Sequence, residues 1–157
     1  SKRFGMTGYR LGAAVGPAKL IGAMQCLGTA STTHASMISQ AAGIAALDMD
    51  DTWITEQRVN YGARRDLVID GLNAIEGIRV ARPEAAFYVF PDVTGLMEEK
   101  GIATDQELVA RLTEEAGLRV VAGSAFGVPG HLRMSVGIAP ERLEEMLRRL
   151  EAFARGD

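Results

Sequence analysis

The chain begins Ser1-Lys2-Arg3-Phe4-Gly5-Met6-Thr7-Gly8-Tyr9-Arg10-Leu11-Gly12. A lysine follows a serine, glycines stand at 5, 8 and 12, and Arg10 lies eight positions beyond Lys2. Glycines at this density let backbone approach a ligand closely or take positive φ. A lysine amine attacks carbonyls and forms Schiff bases. An arginine offers a planar fork of donors that suits phosphate. Together these are the parts needed to hold an aldehyde that carries a phosphate. They equally suit a basic, flexible loop with no ligand, and spacing alone does not separate the two.

Composition narrows the field. The chain has 157 residues, 47% hydrophobic and 24% charged, which suits an ordinary soluble domain with a real core. The net charge of −3 gives no support for nucleic-acid binding, where a basic patch or stripe is expected. With one cysteine, Cys26, no disulfide can form within the chain. A reducing, cytoplasmic compartment is the natural expectation, with Cys26 a buried, inert residue. No apolar run approaches the length of a membrane span. The chain lacks an initiating Met, which leaves open a fragment, a processed product or a partial record.

Local patterns predict an alternation of strands and helices, hence an α/β fold. Residues 9–16 read as a short strand of small residues, buried on both faces as in a parallel sheet. Pro17 opens a helix carrying Leu20, Met24 and Leu27. A polar loop over 28–36 leads to Ser36, the expected cap of a helix from Met37 to Leu47, with Gln40 near the capping-box position. Asp50-Asp51-Thr52 starts a long helix to about Ala74, with Arg58, Arg64 and Arg65 on a charged face and Val59, Leu67 and Leu72 on an apolar one. Gly77 stops it. Strands are expected at 78–80, within 83–91, at 118–121 and at 131–137. Thr104 and Glu107 have capping-box spacing for another helix, and Pro140 opens the last, with Leu143, Met146, Leu147 and Leu150 as one stripe. The change of pattern near residue 50 divides the chain into 1–50 and 51–157.

Three motifs, in order, carry a resemblance. The opening S-K-x-F-x-M-T-G-Y-R-L-G is similar to the lysine segment of class I/II aminotransferases, usually S-K-x-x-x-M-x-G-W/Y-R-x-G. These are fold-type I pyridoxal-phosphate-dependent enzymes, aspartate aminotransferase-like. Pro83-Glu84-Ala85-Ala86-Phe87-Tyr88-Val89-Phe90-Pro91 resembles the family's P-E/Q-G-A-F-Y-x-F-P/V, with Ala85 in place of the usual glycine. The run V-x-x-G-S-x-F-G followed by His131-Leu132-Arg133-Met134-Ser135-Val136-Gly137 resembles V-x-P-G-x-x-F-G and x-x-R-I/L-S-F/Y-A, with Ala122 in place of the usual proline.

The resemblance implies the C-terminal portion of such an enzyme. Residues 1–50 would end the large cofactor-binding domain, and 51–157 would form the interdomain helix and the small α/β domain. It implies pyridoxal 5'-phosphate as cofactor, held by Lys2 as a Schiff base and by Arg10 at its phosphate, with Ser1 assisting through its hydroxyl. It implies that Arg133 grips the α-carboxylate of the substrate, and that residues 31–36 lie near the active site of the neighbouring subunit in a homodimer with shared sites. An L-amino acid and a 2-oxo acid would be the substrates, and no metal is implied. The family's stacking ring, its Asp at the pyridine nitrogen and its Gly-rich phosphate loop normally precede the lysine. A C–S lyase on the same scaffold and the aminotransferase-like effector domain of a transcription regulator are alternatives, since fold does not fix reaction.

Overall fold

The computed structural model describes residues 1–156. It divides into two compact units, Ser1–Gln57 and Arg58–Asp157.

The second unit holds the core. The long helix α3, Thr52–Asn73, begins in the first unit, where Asp50 Oδ1 accepts the Thr52 N–H at 2.9 Å, and enters the second at Arg58. Only its later turns carry buried apolar residues, Val68, Ile69 and Leu72; Val59 is 68% exposed, so the expected apolar face is confined to the C-terminal half. After the helix, the Asn73 amide donates to the Val80 carbonyl at 3.1 Å and accepts the Val80 N–H at 2.9 Å. This two-way clamp pins residues 78–80, which make a single bridge, Arg79 to Asp92, rather than a strand. Gly77 has φ +78, and a Cβ there would collide with the backbone of Gly95 at 2.8 Å. Glycine is therefore required for the approach to helix α4, Thr94–Glu99.

Helix α5, Asp105–Glu115, begins as its spacing predicts. Thr104 Oγ1 accepts the Glu107 N–H at 3.1 Å, while the Glu107 carboxylate reaches back to the Ala103 N–H, one residue beyond the usual box. Helix α6, Pro140–Arg155, buries Leu143 and Leu150, with Met146 and Leu147 packed half-buried beside them. Its outer face is laced by Glu145–Arg149 and Glu151–Arg155 ion pairs at i,i+4 spacing.

One face of a three-stranded antiparallel sheet, in the order β1-β3-β2, packs into the core these helices form. The strands are β1 Tyr88–Val89, β2 Val121–Ala122 and β3 Leu132–Ser135, each shorter than its sequence pattern. Tyr88 pairs with Ser135 and Val89 with Met134; Val121 pairs with Arg133 and Ala122 with Leu132. Alternation sends Leu132, Met134 and Val136 into the core with Val89. His131, Arg133 and Ser135 are left on the other face, only partly buried, with Tyr88 and Phe90. The core closes on Leu72, Leu96, Leu108, Leu112, Leu132, Leu143 and Leu150, all within 1% of full burial.

The first unit is built differently. Helix α1, Ala18–Ser31, runs four residues further than expected, and helix α2, Met37–Leu47, follows. Ser36 is the N-cap of α2 by position, but its side chain makes no capping bond; the Gln40 amide instead donates to the Ala35 carbonyl at 2.8 Å. The predicted strand over 9–16 does not form. Thr7–Tyr9 is a 3-10 helix, the residues after Arg10 are irregular, and Val15 is fully exposed. A strand exists by pairing, and no described segment of this unit pairs with it. Only Met6, Ser39 and Ala46 are buried in the unit, and Cys26, expected inside, is exposed. No helix among the described residues is long and apolar enough to cross a membrane.

Candidate functional site

The opening segment is folded by its own backbone. The Ser1 carbonyl accepts the N–H groups of Phe4 at 3.2 Å and Met6 at 2.9 Å, closing a 3-10 helix over Lys2–Phe4. Met6 is buried and anchors the loop. Ser39, a buried hydroxyl on α2, donates to the Tyr9 carbonyl at 2.7 Å and ties the second 3-10 helix down. The Arg3 guanidinium pairs with Asp51 at 2.9 Å.

Within this fold Lys2 and Arg10 meet at one residue. Lys2 Nζ donates to Thr7 Oγ1 at 3.3 Å, and Arg10 Nη1 donates to the Thr7 carbonyl at 3.0 Å. An amine and a guanidinium are thus gathered about Thr7 on an exposed turn. Arg10 has φ +52, in the left-handed region that a side chain seldom adopts. Such an outlier costs of order 1 kcal/mol and is a pointer to function. Ser1 lies beside Lys2 in sequence and contributes its carbonyl; no hydrogen bond from its hydroxyl stands among the described contacts. Thr7 and Ser39 are the residues sequence reasoning passed over. Thr7 lay inside the quoted motif, between Met6 and Gly8, whereas nothing local marked Ser39.

Residues 31–36 follow the end of α1. Ser31 spends its hydroxyl on the Leu27 carbonyl at 3.0 Å, and His34 Nδ1 lies 2.8 Å from the Ala35 carbonyl. Their geometry is that of an exposed connector.

Arg133 belongs to the second unit. It projects from the central strand β3 on the face away from the core, and its Cζ lies 4.8 Å from the centre of the Tyr88 ring and 4.5 Å from that of Phe126. Phe126 ends a 3-10 helix, Gly123–Phe126, which directly follows β2. Phe90 contacts Phe126 edge-on at 6.3 Å and stacks on His131 at 5.2 Å. Beneath them, Asp92 accepts the Thr94 hydroxyl and N–H at 2.7 and 2.9 Å. Those bonds, with help from His131 and Arg79, hold its carboxyl below the ordinary value despite partial burial. Among the described residues no group of three or more His, Cys, Asp or Glu is placed to hold a metal ion.

The donor set around Thr7 suits a phosphate-bearing aldehyde, and a guanidinium among rings suits a carboxylate. Comparison with known proteins gives the family. The model of the family "Aminotransferase class I and II" matches residues 1–150. A probable aspartate/prephenate aminotransferase of Rhizobium leguminosarum bv. phaseoli is 41% identical over 98% of this chain and 40% of its own length. The crystal structure of the aspartate aminotransferase from Rhizobium meliloti superposes with a TM-score of 0.89 at 39% identity, over 98% of this chain and 40% of that one. An aromatic aminotransferase from Pyrococcus horikoshii OT3 gives a TM-score of 0.87 at 34% identity, over 99% and 41%. The chain thus spans about two fifths of the length of the relatives it matches.

Proposed function

This chain belongs to the class I and II aminotransferases, in a fold-type I α/β architecture, and on that premise we propose that the whole protein is a pyridoxal-phosphate-dependent aminotransferase. It transfers the amino group of an L-amino acid to a 2-oxo acid. The observation that carries the proposal is the convergence of Lys2 Nζ and Arg10 Nη1 on Thr7, which brings to one turn an amine for the cofactor's aldehyde and a cation for its phosphate. We assign residues 1–50 to the end of the large domain and 51–157 to the interdomain helix and small domain.

The residues present fit the cofactor. Arg10 would hold its phosphate, assisted by the Ser1 hydroxyl, and Lys2 would be its covalent anchor. When bound, the cofactor supplies an electron sink for the carbanion formed at the substrate Cα. Lys2 Nζ, once displaced by the substrate amine, would carry the proton from the substrate Cα to the C4′ carbon of the cofactor. Thr7 orients that amine through its hydroxyl. Arg133 fixes the α-carboxylate with paired donors, so that orientation is set along with charge. The relatives' names span aspartate, prephenate and aromatic substrates, which supports a shared grip on the common α-carboxylate with side-chain choice made elsewhere. Two such chains would form a cytoplasmic homodimer in which residues 31–36 of each contribute to the other's site.

The test uses the full-length enzyme. Lys2→Ala should abolish the visible absorption of bound cofactor and all amino transfer. An unchanged visible spectrum overturns the assignment. Product formation that needs no oxo acid acceptor would identify a lyase instead.

A further inference from the structure

We propose that Tyr88 and Phe126 are positioning residues that hold the Arg133 guanidinium ready for a carboxylate; this rests on the role given to Arg133 above. Several of the chain's other arginines show the alternative, a carboxylate partner. Arg111, Arg149 and Arg155 are held by carboxylates of Glu115, Glu145 and Glu151. Arg133 has no ion pair among the described residues, and two rings lie against it instead, at 4.8 and 4.5 Å.

The difference has a chemical consequence. A carboxylate partner would occupy the in-plane N–H groups and neutralise the charge, so an incoming carboxylate would have to displace it. An aromatic ring attracts the cation through its π electrons and takes no N–H donor. The guanidinium is then ordered in advance, with its donors and its charge still available for a bidentate partner. Order fixed before binding lowers the entropy lost on binding.

The sequence builds this arrangement from both neighbours of β3. Tyr88 lies opposite Ser135 on β1, so it is the diagonal neighbour of Arg133 on the same face. Phe126 arrives from the other edge, on the 3-10 helix after β2. Each ring is supported in turn. Phe87 packs on Tyr88 with ring centres 4.5 Å apart, and Phe90 braces Phe126. Phe126 remains 48% exposed, as expected of a ring at the mouth of a site rather than in a core.

The full-length holoenzyme carrying Phe126→Leu tests this. KM for both the amino acid and the oxo acid should rise about two- to thirtyfold, the range of a cation–π contact from exposed to desolvated, with kcat within about twofold. Phe126→Tyr, which keeps a ring, should restore wild-type KM, and Tyr88→Leu should reproduce the KM-specific loss. KM unchanged in Phe126→Leu, or a fall in kcat with KM unchanged, overturns the proposal. So does failure of Phe126→Tyr to rescue. Arg133→Lys separates this from the underlying reading: if it raises KM and Phe126→Leu does not, only the positioning role fails. If Arg133→Lys leaves KM unchanged, the carboxylate grip itself is wrong.

Discussion

Asp105 Oδ2 accepts the backbone N–H of Ser124 at 2.8 Å, joining the first residue of α5 to the 3-10 helix that carries Phe126. Asp105 is 2% exposed. Burial pushes its carboxyl up, but hydrogen bonds from Ser124, and from the backbone of Gly130 and Gln106, outweigh burial and leave it below the ordinary 3.8. A carboxylate with a lowered folded pKa stabilises the folded state fully above its unfolded pKa. That contribution is lost as the pH falls from about 3.8 through the lowered folded value. Asp105→Asn removes the titration and should flatten the acid limb of stability. Denaturant midpoints between roughly pH 2 and pH 6 check it, and equal acid slopes in the two proteins would contradict it.

The sequence made this corner half-legible. Thr104 and Glu107 marked the start of α5 through their spacing, because a helix end must satisfy its own N–H groups locally. Pro140 and the Leu143 to Leu150 stripe were legible for similar reasons. The bond from Asp105 to Ser124 was not, since it joins residues nineteen apart through a turn no pattern announces. The strand expected at 9–16 shows the opposite failure. Its small apolar residues satisfy a buried strand's composition, but a strand also needs a partner, and none pairs with it among the described residues of the first unit. Lys2, Arg10 and Arg133 are proposed as site residues from the motifs that hold them. The rings beside Arg133 lay in quoted motifs as well, yet their contact depends on the pairing of β1 with β3, which sequence alone did not supply.

Arg10 combines a useful side chain with an unfavourable backbone, φ +52. Arg10→Gly should relieve the backbone and leave apo-enzyme stability unchanged or raised by up to about 1 kcal/mol. The same change should weaken cofactor binding by about ten- to a hundredfold, the worth of a hydrogen bond to a charged group. Denaturation of the apo-enzyme and titration with cofactor measure the two effects separately. Loss of stability with full affinity would show that Arg10 serves the fold.

A second strained residue lies in the turn before β1. The positive φ, +71, falls on Ala86 and not on Ala85, the position where the family usually has glycine. Ala86→Gly should stabilise the full-length protein by about 0.5–1 kcal/mol, the left-handed penalty less the added entropy of the unfolded chain. Ala85→Gly should cost about 0.4–1 kcal/mol, because it adds only that entropy. Paired denaturation curves decide between them, and the reverse order would place the turn on Ala85.

Gly123 should couple stability to the site proposed at Arg133. It begins the 3-10 helix, and its N–H donates to the His131 carbonyl at 2.7 Å. A Cβ at this position would stand 2.7 Å from His131 Cβ and 2.8 Å from the His131 carbonyl oxygen, and would also strike the Val128 carbonyl. Two of these three neighbours are backbone, so the turn itself must move. Gly123→Ala should therefore cost about 1–3 kcal/mol, as overpacking does, and should displace Phe126 from the guanidinium it touches. KM for both substrates should rise with the loss of stability. Phe126→Leu, on an exposed ring, should raise KM with little change in stability. If Gly123→Ala lowers stability and leaves KM intact, the 3-10 helix packs against β3 without governing Arg133.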